Sequence, residues 1–240
     1  MALDQLGTPT TAPVRISDGG GDPAIAWSGT IAGVTWWERV GETDPCCDPP
    51  DCLTACTTYT DPIYLIVIDP AGMTALPPVE VSADVDDRPR PTVAWDGASF
   101  VIGYSDGPLF LEQWSVDAMQ VAPRYPIPTA RSETFDMVSA GTRIAVALAA
   151  GDSLFFSHGG LGAFPASETN VSMVRRATQP SLAWTGDGYV IATNSRDFFG
   201  VGRGGAVVGL DALGAPRGMA TSLTSTRTGG FVDEGPPPSV

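Results

Sequence analysis

The sequence contains no lysine, and its only histidine is His158. Its 13 basic residues are therefore all arginine and stand against 27 acidic residues, for a formal net charge of −14. A chain this acidic does not suit the phosphate backbone of a nucleic acid, so no nucleic-acid partner is expected. With no lysine and one histidine, the side chains that usually act as general bases are reduced to carboxylates.

Long apolar runs are also missing. No run reaches the roughly 18 residues of a membrane-spanning helix, so we expect no membrane span. Residues 1–14 have neither a basic region nor an apolar core, so we expect a signal peptide to be absent or already removed. The 28 glycines and 22 prolines are spread along the chain. Such frequent turn residues predict short strands joined by turns rather than long helices.

One motif recurs along the chain. It has the form P-x-φ-A-W-x-G, in which φ is an aliphatic residue, and a weaker copy carries Ser139 in place of tryptophan. The copies lie at residues 23–29, 91–97, 137–141 and 180–186. The period is about 45 residues once an insert of about twenty residues, 41–62, is set aside. Alternating runs after each motif predict three further strands.

Four strands in about 45 residues are typical of one blade of a β-propeller. We therefore predict an all-β fold, a β-propeller of about four, or at most five, four-stranded antiparallel blades in a single domain, 1–240. The predicted units are 13–82, 91–130, 135–174, 178–226 and a partial unit at 236–240. Because residues 13–17 have the pattern of a fourth strand, we expect a permuted closure of the ring. An array that continues beyond Val240 is the alternative.

The tryptophan of the motif recurs at one position in three units, as Trp27, Trp95 and Trp184. A residue repeated at the same place in each blade favours packing between neighbouring sheets over contact with a ligand. We therefore expect all three side chains to lie in the core.

Residues 91–104, 180–191 and 63–72 carry a family likeness. They resemble units that read roughly P-x-V-A-W-[DN]-G-x-x-Y-L-V-V-W followed by I-Y-x-x-x-[LV]-[DS]-x-x-G, in extracellular repeat proteins of myxobacteria and related GC-rich bacteria. The resemblance implies a β-propeller in secreted material or at the cell surface. It implies no catalytic residues, since none belong to the motif.

The insert contains all four cysteines, Cys46, Cys47, Cys52 and Cys56. An even number in a proline-rich loop too small for its own core predicts two disulfides and an oxidising compartment. Because the neighbours Cys46 and Cys47 can hardly pair with each other without strain, each is expected to pair with Cys52 or Cys56. A zinc site is the alternative, but the spacing lacks the usual pair of C-x-x-C knuckles, and no metal site is predicted.

The candidate binding residues lie where the sequence departs from the repeat. Trp36 and Trp37 are neighbours on a predicted strand and must face opposite sides of the sheet. Trp36 aligns with Tyr104 and is the predicted core residue. Trp37, next to Arg39 at the start of the insert, is the candidate binding aromatic, unless the insert covers it. Trp114 stands outside the repeat and completes the predicted binding set.

Calcium is a weaker expectation. The acidic turn at 18–22 and the pair Asp86 and Asp87 offer oxygen ligands of the kind that calcium prefers. Neither matches a twelve-residue calcium loop, so solvated turns are favoured and no cofactor is predicted.

The sequence has no P-loop and no G-x-S-x-G elbow, and no pair of carboxylates stands out. We therefore expect a protein that is not an enzyme, a secreted or cell-surface propeller that recognises a protein or polysaccharide ligand at a bacterial surface. One alternative is a purely structural segment of a larger extracellular protein. The other is a carboxylate-based glycoside hydrolase, which needs a central cavity with two facing acids about 5 to 10 Å apart.

Overall fold

Four antiparallel sheets of four strands each follow one another along the chain. The computed structural model describes residues 15–43, 57–71, 74–83, 85, 90–127, 134–161, 164, 169–175, 177–196 and 203–223. Within this described part of the chain, no helix has the length and apolar character needed to cross a bilayer.

Each sheet is a blade, and its strands are consecutive apart from one insert. Blade 1 contains β1 (Gly21–Trp27), β2 (Ala32–Trp37), β5 (Ile63–Ile68) and β6 (Thr74–Ser82). Blade 2 contains β7 (Thr92–Trp95), β8 (Phe100–Ser105), β9 (Leu109–Trp114) and β10 (Gln120–Ile127). Blade 3 contains β11 (Thr134–Ala140), β12 (Arg143–Ala150), β13 (Ser153–Gly159) and β14 (Thr169–Arg175). Blade 4 contains β15 (Ala177–Trp184), β16 (Gly188–Arg196), β17 (Arg203–Asp211) and β18 (Thr221–Leu223).

The first strand of each blade lies innermost. β1 packs beside β7, β7 beside β11, and β11 beside β15, so these four strands lie side by side around an axis. The prediction of a propeller with four four-stranded antiparallel blades is confirmed. The glycine of the motif ends each inner strand, with φ values of 101°, 99°, 72° and 97° at Gly29, Gly97, Gly141 and Gly186. Glycine adopts this left-handed backbone without steric cost, so the motif itself sets the turn into the second strand.

The predicted strand at residues 13–17 is not seen where the structure describes it, since residues 15–17 belong to no strand. The Arg15 side chain donates hydrogen bonds to the carbonyl oxygens of Ser17 (2.7 Å) and Asp18 (2.6 Å), which bends the segment into a turn. Ile16 packs beside Trp36 on the face of blade 1 away from blade 2. Each described blade takes its four strands from its own stretch of chain. Residues 13, 14 and 236–240 lie outside the described residues.

Apolar layers between neighbouring blades form the core. Side chains at alternating positions of the second and third strands of one blade meet those of the next. The layer between blades 1 and 2 includes Ile63, Leu65, Val67, Phe100, Ile102 and Tyr104. The layer between blades 2 and 3 includes Leu109, Leu111, Ile144, Val146 and Leu148. The layer between blades 3 and 4 includes Ala145, Ala147, Phe156, Tyr189 and Ile191.

The repeated tryptophans do not all have the same surroundings. The Trp95 ring packs edge to face on Phe100, with centroids 5.0 Å apart, and the Trp184 ring lies 4.7 Å from that of Tyr189. Trp27 is 52% exposed, so the expectation of a buried core residue is wrong at this position. It lies with Ile25, which is 69% exposed, on the face of blade 1 away from blade 2, outside the three layers between blades.

The insert leaves blade 1 between β2 and β5 as a two-stranded ribbon, β3 (Val40–Thr43) and β4 (Thr57–Thr60). The pairing runs from Val40 opposite Thr60 to Thr43 opposite Thr57. The four cysteines, at positions 46, 47, 52 and 56, lie outside the described residues, so their pairing stays a prediction.

Candidate functional site

The inner strands begin together at one end of the axis, which we call the Asp22 end. The residues at the aligned position, seven before the motif glycine, are Asp22, Arg90, Thr134 and Gln179. Asp22, Arg90 and Gln179 each precede a proline and have φ values of 46°, 42° and 51°. Left-handed backbone is uncommon for such residues and carries strain. In blade 1 this strained backbone carries the exposed carboxyl group of Asp22, which marks this end as a candidate functional site.

Two indoles of blade 1 at this end are hydrogen-bonded to carboxylates. The Trp37 Nε1–H donates to Asp22 Oδ2 at 3.1 Å, and the Trp36 Nε1–H donates to Glu38 Oε1 at 2.9 Å. Trp36 is buried and Trp37 half-buried, on opposite sides of β2. The carboxylates of Asp22 and Glu38 therefore stand beside aromatic surface, an arrangement that suits a ligand with both apolar and hydroxyl surface.

The glycines of the turn at 18–22 let the chain lie directly on these tryptophans. A Cβ atom on Gly21 would sit 2.5 Å from the Trp37 ring, and one on Gly20 would sit 2.9 Å from Cδ1 of Trp36. Residues 15–21 with Pro23 and Trp36 line a cleft of about 490 Å³. Among the described residues, no group of three or more His, Cys, Asp or Glu side chains is placed to hold a metal ion. Asp86 and Asp87, the other calcium candidates, lie outside those residues.

Arg39 is part of an ion pair at the base of the ribbon. Its Nε and Nη2 donate to the two carboxylate oxygens of Asp61, each at 2.9 Å, and Asp61 is only 2% exposed. The guanidinium carbon of Arg39 lies 5.7 Å from the centre of the Trp37 ring. The structure thus brings Trp37 and Arg39 together beside Asp22, and it ties the ribbon to this end of the axis.

Trp114 does not join them. It is 7% exposed, lies in the layer between blades 1 and 2, and donates from Nε1 to Glu112 Oε2 at 3.2 Å. It is therefore a core residue rather than the exposed binding aromatic expected from the sequence. The reason is a buried hydrogen-bond acceptor two residues earlier on the same strand, which lets the indole bury its N–H without cost.

Glu112 is 3% exposed, and sequence reasoning did not single it out. The carboxylate accepts hydrogen bonds from Tyr104 Oη, Trp114 Nε1 and Gln120 Nε2. Burial and the bond to Glu112 raise the pKa of Tyr104 to about 12. The only signal in the sequence is an acid inside the apolar run of β9. With three donors the carboxylate is satisfied, and it stabilises the contact between blades 1 and 2.

Asp136 is a partly buried carboxyl group, at the third position of inner strand β11. Its Oδ2 accepts from the backbone N–H of Leu182 at 2.7 Å, and its Oδ1 from that of Met137 at 2.8 Å. Thr134 Oγ1 similarly accepts from the N–H of Gln179 at 2.9 Å. Leu182 and Gln179 belong to β15, which is the inner edge strand of blade 4. The N–H groups on the axial side of an edge strand have no partner strand within their own sheet. Side chains of blade 3 thus satisfy N–H groups on the axial edge of blade 4.

The pKa of Asp136 is raised because burial outweighs the two N–H donors that favour its ionised form. At Asp96 burial also raises the pKa, but hydrogen bonds from Ala98, Ser99 and Gln113 outweigh it, and the net shift is downward. The pKa of Asp187 is lowered by Thr185 and Arg217. Of these three carboxyl groups, Asp136 is therefore the one whose pKa is raised.

The chain is similar to several solved structures. It aligns with the catalytic domain of a Coprinopsis cinerea GH62 α-L-arabinofuranosidase at 12% identity and a TM-score of 0.49, over 90% of this chain and 70% of that one. It aligns with a Podospora anserina α-L-arabinofuranosidase in complex with cellotriose at 14% identity and a TM-score of 0.46, over 89% and 70% of the two chains. It aligns with a GH62 hydrolase in complex with xylotriose at 12% identity and a TM-score of 0.44, over 85% of this chain and 69% of that one. All three are glycoside hydrolases. No protein-family model matches the sequence, and no curated protein is similar to it.

Two predictions, the non-enzymatic recognition module and the absence of enzymatic activity, disagree with these comparisons, in which the similar domains are hydrolases. At 12–14% identity and TM-scores below 0.5 the likeness assigns no residue and no substrate to this chain, and the propeller fold rests on its own four sheets. The remaining enzymatic alternative, a carboxylate-based glycoside hydrolase, has to be argued from the carboxylates of this protein.

Proposed function

We propose that the protein is a glycoside hydrolase that uses two carboxyl groups at the Asp22 end of its axis, Asp136 as the proton donor and Asp22 as the second carboxylate. The observation that carries the proposal is the partly buried position of the Asp136 carboxyl group near the start of inner strand β11, where burial also raises its pKa. Hydrolysis of a glycosidic bond needs one carboxyl group that keeps its proton at the working pH and another that is ionised. Burial of Asp136 favours the first state.

The positions of the two residues along their strands support this pairing. Asp22 is the second residue of β1 and Asp136 the third residue of β11, so both lie near the start of an inner strand. Other parts of β1 and β11 line one cavity together, which means that the two strands flank the same axial space. A sugar bound across this end of the axis lies between the two carboxyl groups.

The surroundings of Asp22 support its role. It is exposed, its Oδ2 is held by the Trp37 indole, and its backbone is strained. The adjoining cleft of about 490 Å³ falls within the size range of small-ligand pockets, about 300–1,000 Å³. Its lining combines apolar residues, among them Ile16, Pro23 and Trp36, with glycine backbone and the polar residues Arg15, Ser17 and Asp18, which suits a sugar better than a purely apolar ligand.

In the proposed reaction, Asp136 donates its proton to the glycosidic oxygen as the bond from that oxygen to the anomeric carbon breaks. Asp22 acts from the other side of the sugar ring. It either attacks the anomeric carbon, at a carboxyl separation of about 5 Å, or takes a proton from an attacking water, at about 6.5–9.5 Å. In both cases the hydroxyl of a water molecule ends on the anomeric carbon.

The test is hydrolysis of a panel of 4-nitrophenyl glycosides, including the α-L-arabinofuranoside, followed by release of nitrophenol. We expect the wild-type protein to cleave at least one of them and Asp136→Asn to lower kcat/KM by about 10²–10⁴-fold, the usual loss of a general acid. Asp22→Asn should lower it as well.

The matched control is Asp117→Asn, which changes an exposed carboxyl group in the turn between β9 and β10, far along the chain from both residues. This variant should keep wild-type kcat/KM. Failure of the wild-type protein to cleave any member of the panel, or full activity of folded Asp136→Asn, contradicts the proposal. Circular dichroism and thermal unfolding establish that each variant is folded.

A further inference from the structure

Blades 1 and 4 have the same local backbone at the Asp22 end. Asp22 and Gln179 occupy the aligned position of the repeat, each precedes a proline, and their φ values are 46° and 51°. In both blades the pairing of the first two strands shifts register at this point, around Asp22 in β1 and around Gln179 in β15. Such an irregularity, a β-bulge, redirects the side chain that it carries and is over-represented next to active sites.

Each of these two side chains is hydrogen-bonded to the same position of the second strand. Asp22 Oδ2 accepts from the Trp37 indole at 3.1 Å, and Gln179 Oε1 accepts from Asn194 Nδ2 at 3.0 Å. Trp37 and Asn194 are equivalent, since each pairs with the residue that precedes the left-handed position in the first strand. Gln179 and Asn194, which we call the amide pair, are therefore the counterpart in blade 4 of the carboxylate and indole in blade 1.

The amide pair is anchored beside the proposed proton donor. The backbone N–H of Gln179 donates to Thr134 Oγ1 at 2.9 Å, and Thr134 precedes Asp136 by two residues on β11. Three residues after Gln179, the N–H of Leu182 donates to Asp136 itself at 2.7 Å. Residues two apart on a strand share a face of the sheet. The amide pair thus lies next to the face of β11 that carries Asp136.

The chemistry of the amide pair suits hydroxyl groups. Both side chains are exposed. Among the described residues, the bond between them occupies one N–H of Asn194 and one lone pair of Gln179, so Gln179 Nε2 keeps two donors and Asn194 Oδ1 keeps its acceptor sites. A hydroxyl group both donates and accepts. Two adjacent hydroxyl groups of a sugar can therefore bond at once to the donor of one amide and the acceptor of the other.

We propose that the amide pair is a subsite that binds two adjacent hydroxyl groups of a sugar unit of the substrate. The choice of a sugar as ligand rests on the proposed function. The place of the subsite rests on the structure of blade 4, whose inner strand both carries Gln179 and bonds to the proposed proton donor.

The test is isothermal titration of the Asp136→Asn protein, which should not consume the ligand, with cellotriose, xylotriose and maltotriose. We expect at least one trisaccharide to bind. Gln179→Met in the same background keeps the length of the side chain and removes its amide, so it should raise the Kd about 3–10-fold, as loss of a neutral hydrogen bond does. Asn194→Ala should raise it by a similar factor. For a glycoside that the wild-type protein cleaves, Gln179→Met should act mainly on KM rather than on kcat.

Asn170→Ala is the matched control. It removes an exposed amide from β14, the outermost strand of blade 3, and should keep the parent Kd. Circular dichroism establishes that each variant is folded. Absence of binding by all three trisaccharides overturns the inference. An unchanged Kd in both folded Gln179→Met and folded Asn194→Ala also overturns it, because the amide pair then only fastens the bulge. Binding that depends on Gln179, in a protein whose wild-type form cleaves no glycoside, contradicts the proposed function instead.

Discussion

Trp184 and Trp27 occupy the same position of the repeat in blades 4 and 1, yet their surroundings differ. Trp184 packs on Tyr189 and joins the layer between blades 3 and 4. Trp27 faces Ala32 and lies half in solvent. Ile25, on the same face of blade 1 as Trp27, is 69% exposed as well, so cover by a neighbouring blade decides whether the indole stabilises the fold. Regions that follow the repeat hold the blades together, and the motif tryptophan contributes where a neighbouring blade covers it.

The largest expected effect tests this contrast directly. Trp184→Ala removes an indole packed on the core and should lower the free energy of unfolding by about 3 kcal/mol or more. Trp27→Ala should lower it by less than about 1 kcal/mol, since the side chain is half exposed. Urea denaturation followed by circular dichroism measures both. Equal losses at the two positions would show that cover by a neighbouring blade is not what matters.

A smaller effect is expected between blades 1 and 2, where Tyr104 donates to buried Glu112. Tyr104→Phe removes one of three donors to that carboxylate and should cost about 1.5–3 kcal/mol, as hydrogen bonds to charged groups do. Because the folded-state pKa of Tyr104 is about 12, above the usual value, the folded protein holds this proton more tightly than the unfolded chain does. The contribution is complete below the ordinary tyrosine pKa of about 10 and is lost as pH rises from there.

Denaturation at neutral and alkaline pH checks the direction of this pH dependence of stability. The wild-type protein should lose stability between pH about 10 and about 12, and Tyr104→Phe should lose less over the same interval. A variant with the same alkaline slope as the wild-type protein would mean that Tyr104 does not carry the dependence.

The third comparison lies within the glycine turn at the Asp22 end. A Cβ atom on Gly21 meets the Trp37 ring at 2.5 Å, whereas one on Gly19 meets nothing within 4 Å. Gly21→Ala should therefore cost about 1–2 kcal/mol through overpacking and, by displacing the indole that holds Asp22, should lower hydrolysis. Gly19→Ala should change little. The pair is measured by thermal unfolding and by kcat/KM, and similar behaviour of the two variants would argue against a chain held closely on Trp37.

The blades could be predicted from the sequence because their determinants are local. A motif glycine in left-handed backbone and alternating residues on each side of it fix a hairpin within about ten residues. The predictions that failed depended on contacts between strands and between blades. The exposure of Trp27 follows from its place on the face of blade 1 away from blade 2, and the burial of Trp114 follows from the acceptor at Glu112. Residues 15–17 have the composition of a strand, but the Arg15 side chain bonds to nearby carbonyls and turns the segment.

The candidate site was only partly predictable for the same reason. Trp37 and Arg39 could be found because they interrupt the repeat beside the insert. Asp136 could not be found, because Leu182, whose N–H donates a hydrogen bond to it, lies 46 residues further along the chain. Only the packing of blade 3 against blade 4 brings the two together, and that packing partly buries the carboxyl group and raises its pKa.

The pH dependence of kcat/KM tests the assignment of Asp136 most directly. A proton donor must be protonated to act, so the rate for a cleaved glycoside should fall as pH rises through the pKa of Asp136, which lies above the ordinary value for aspartate of about 3.9. Folded Asp136→Asn should lose this limb together with most of the activity, while Asp117→Asn keeps both. A wild-type protein that cleaves no glycoside, or an Asp136→Asn variant that keeps the same falling limb, would contradict the account.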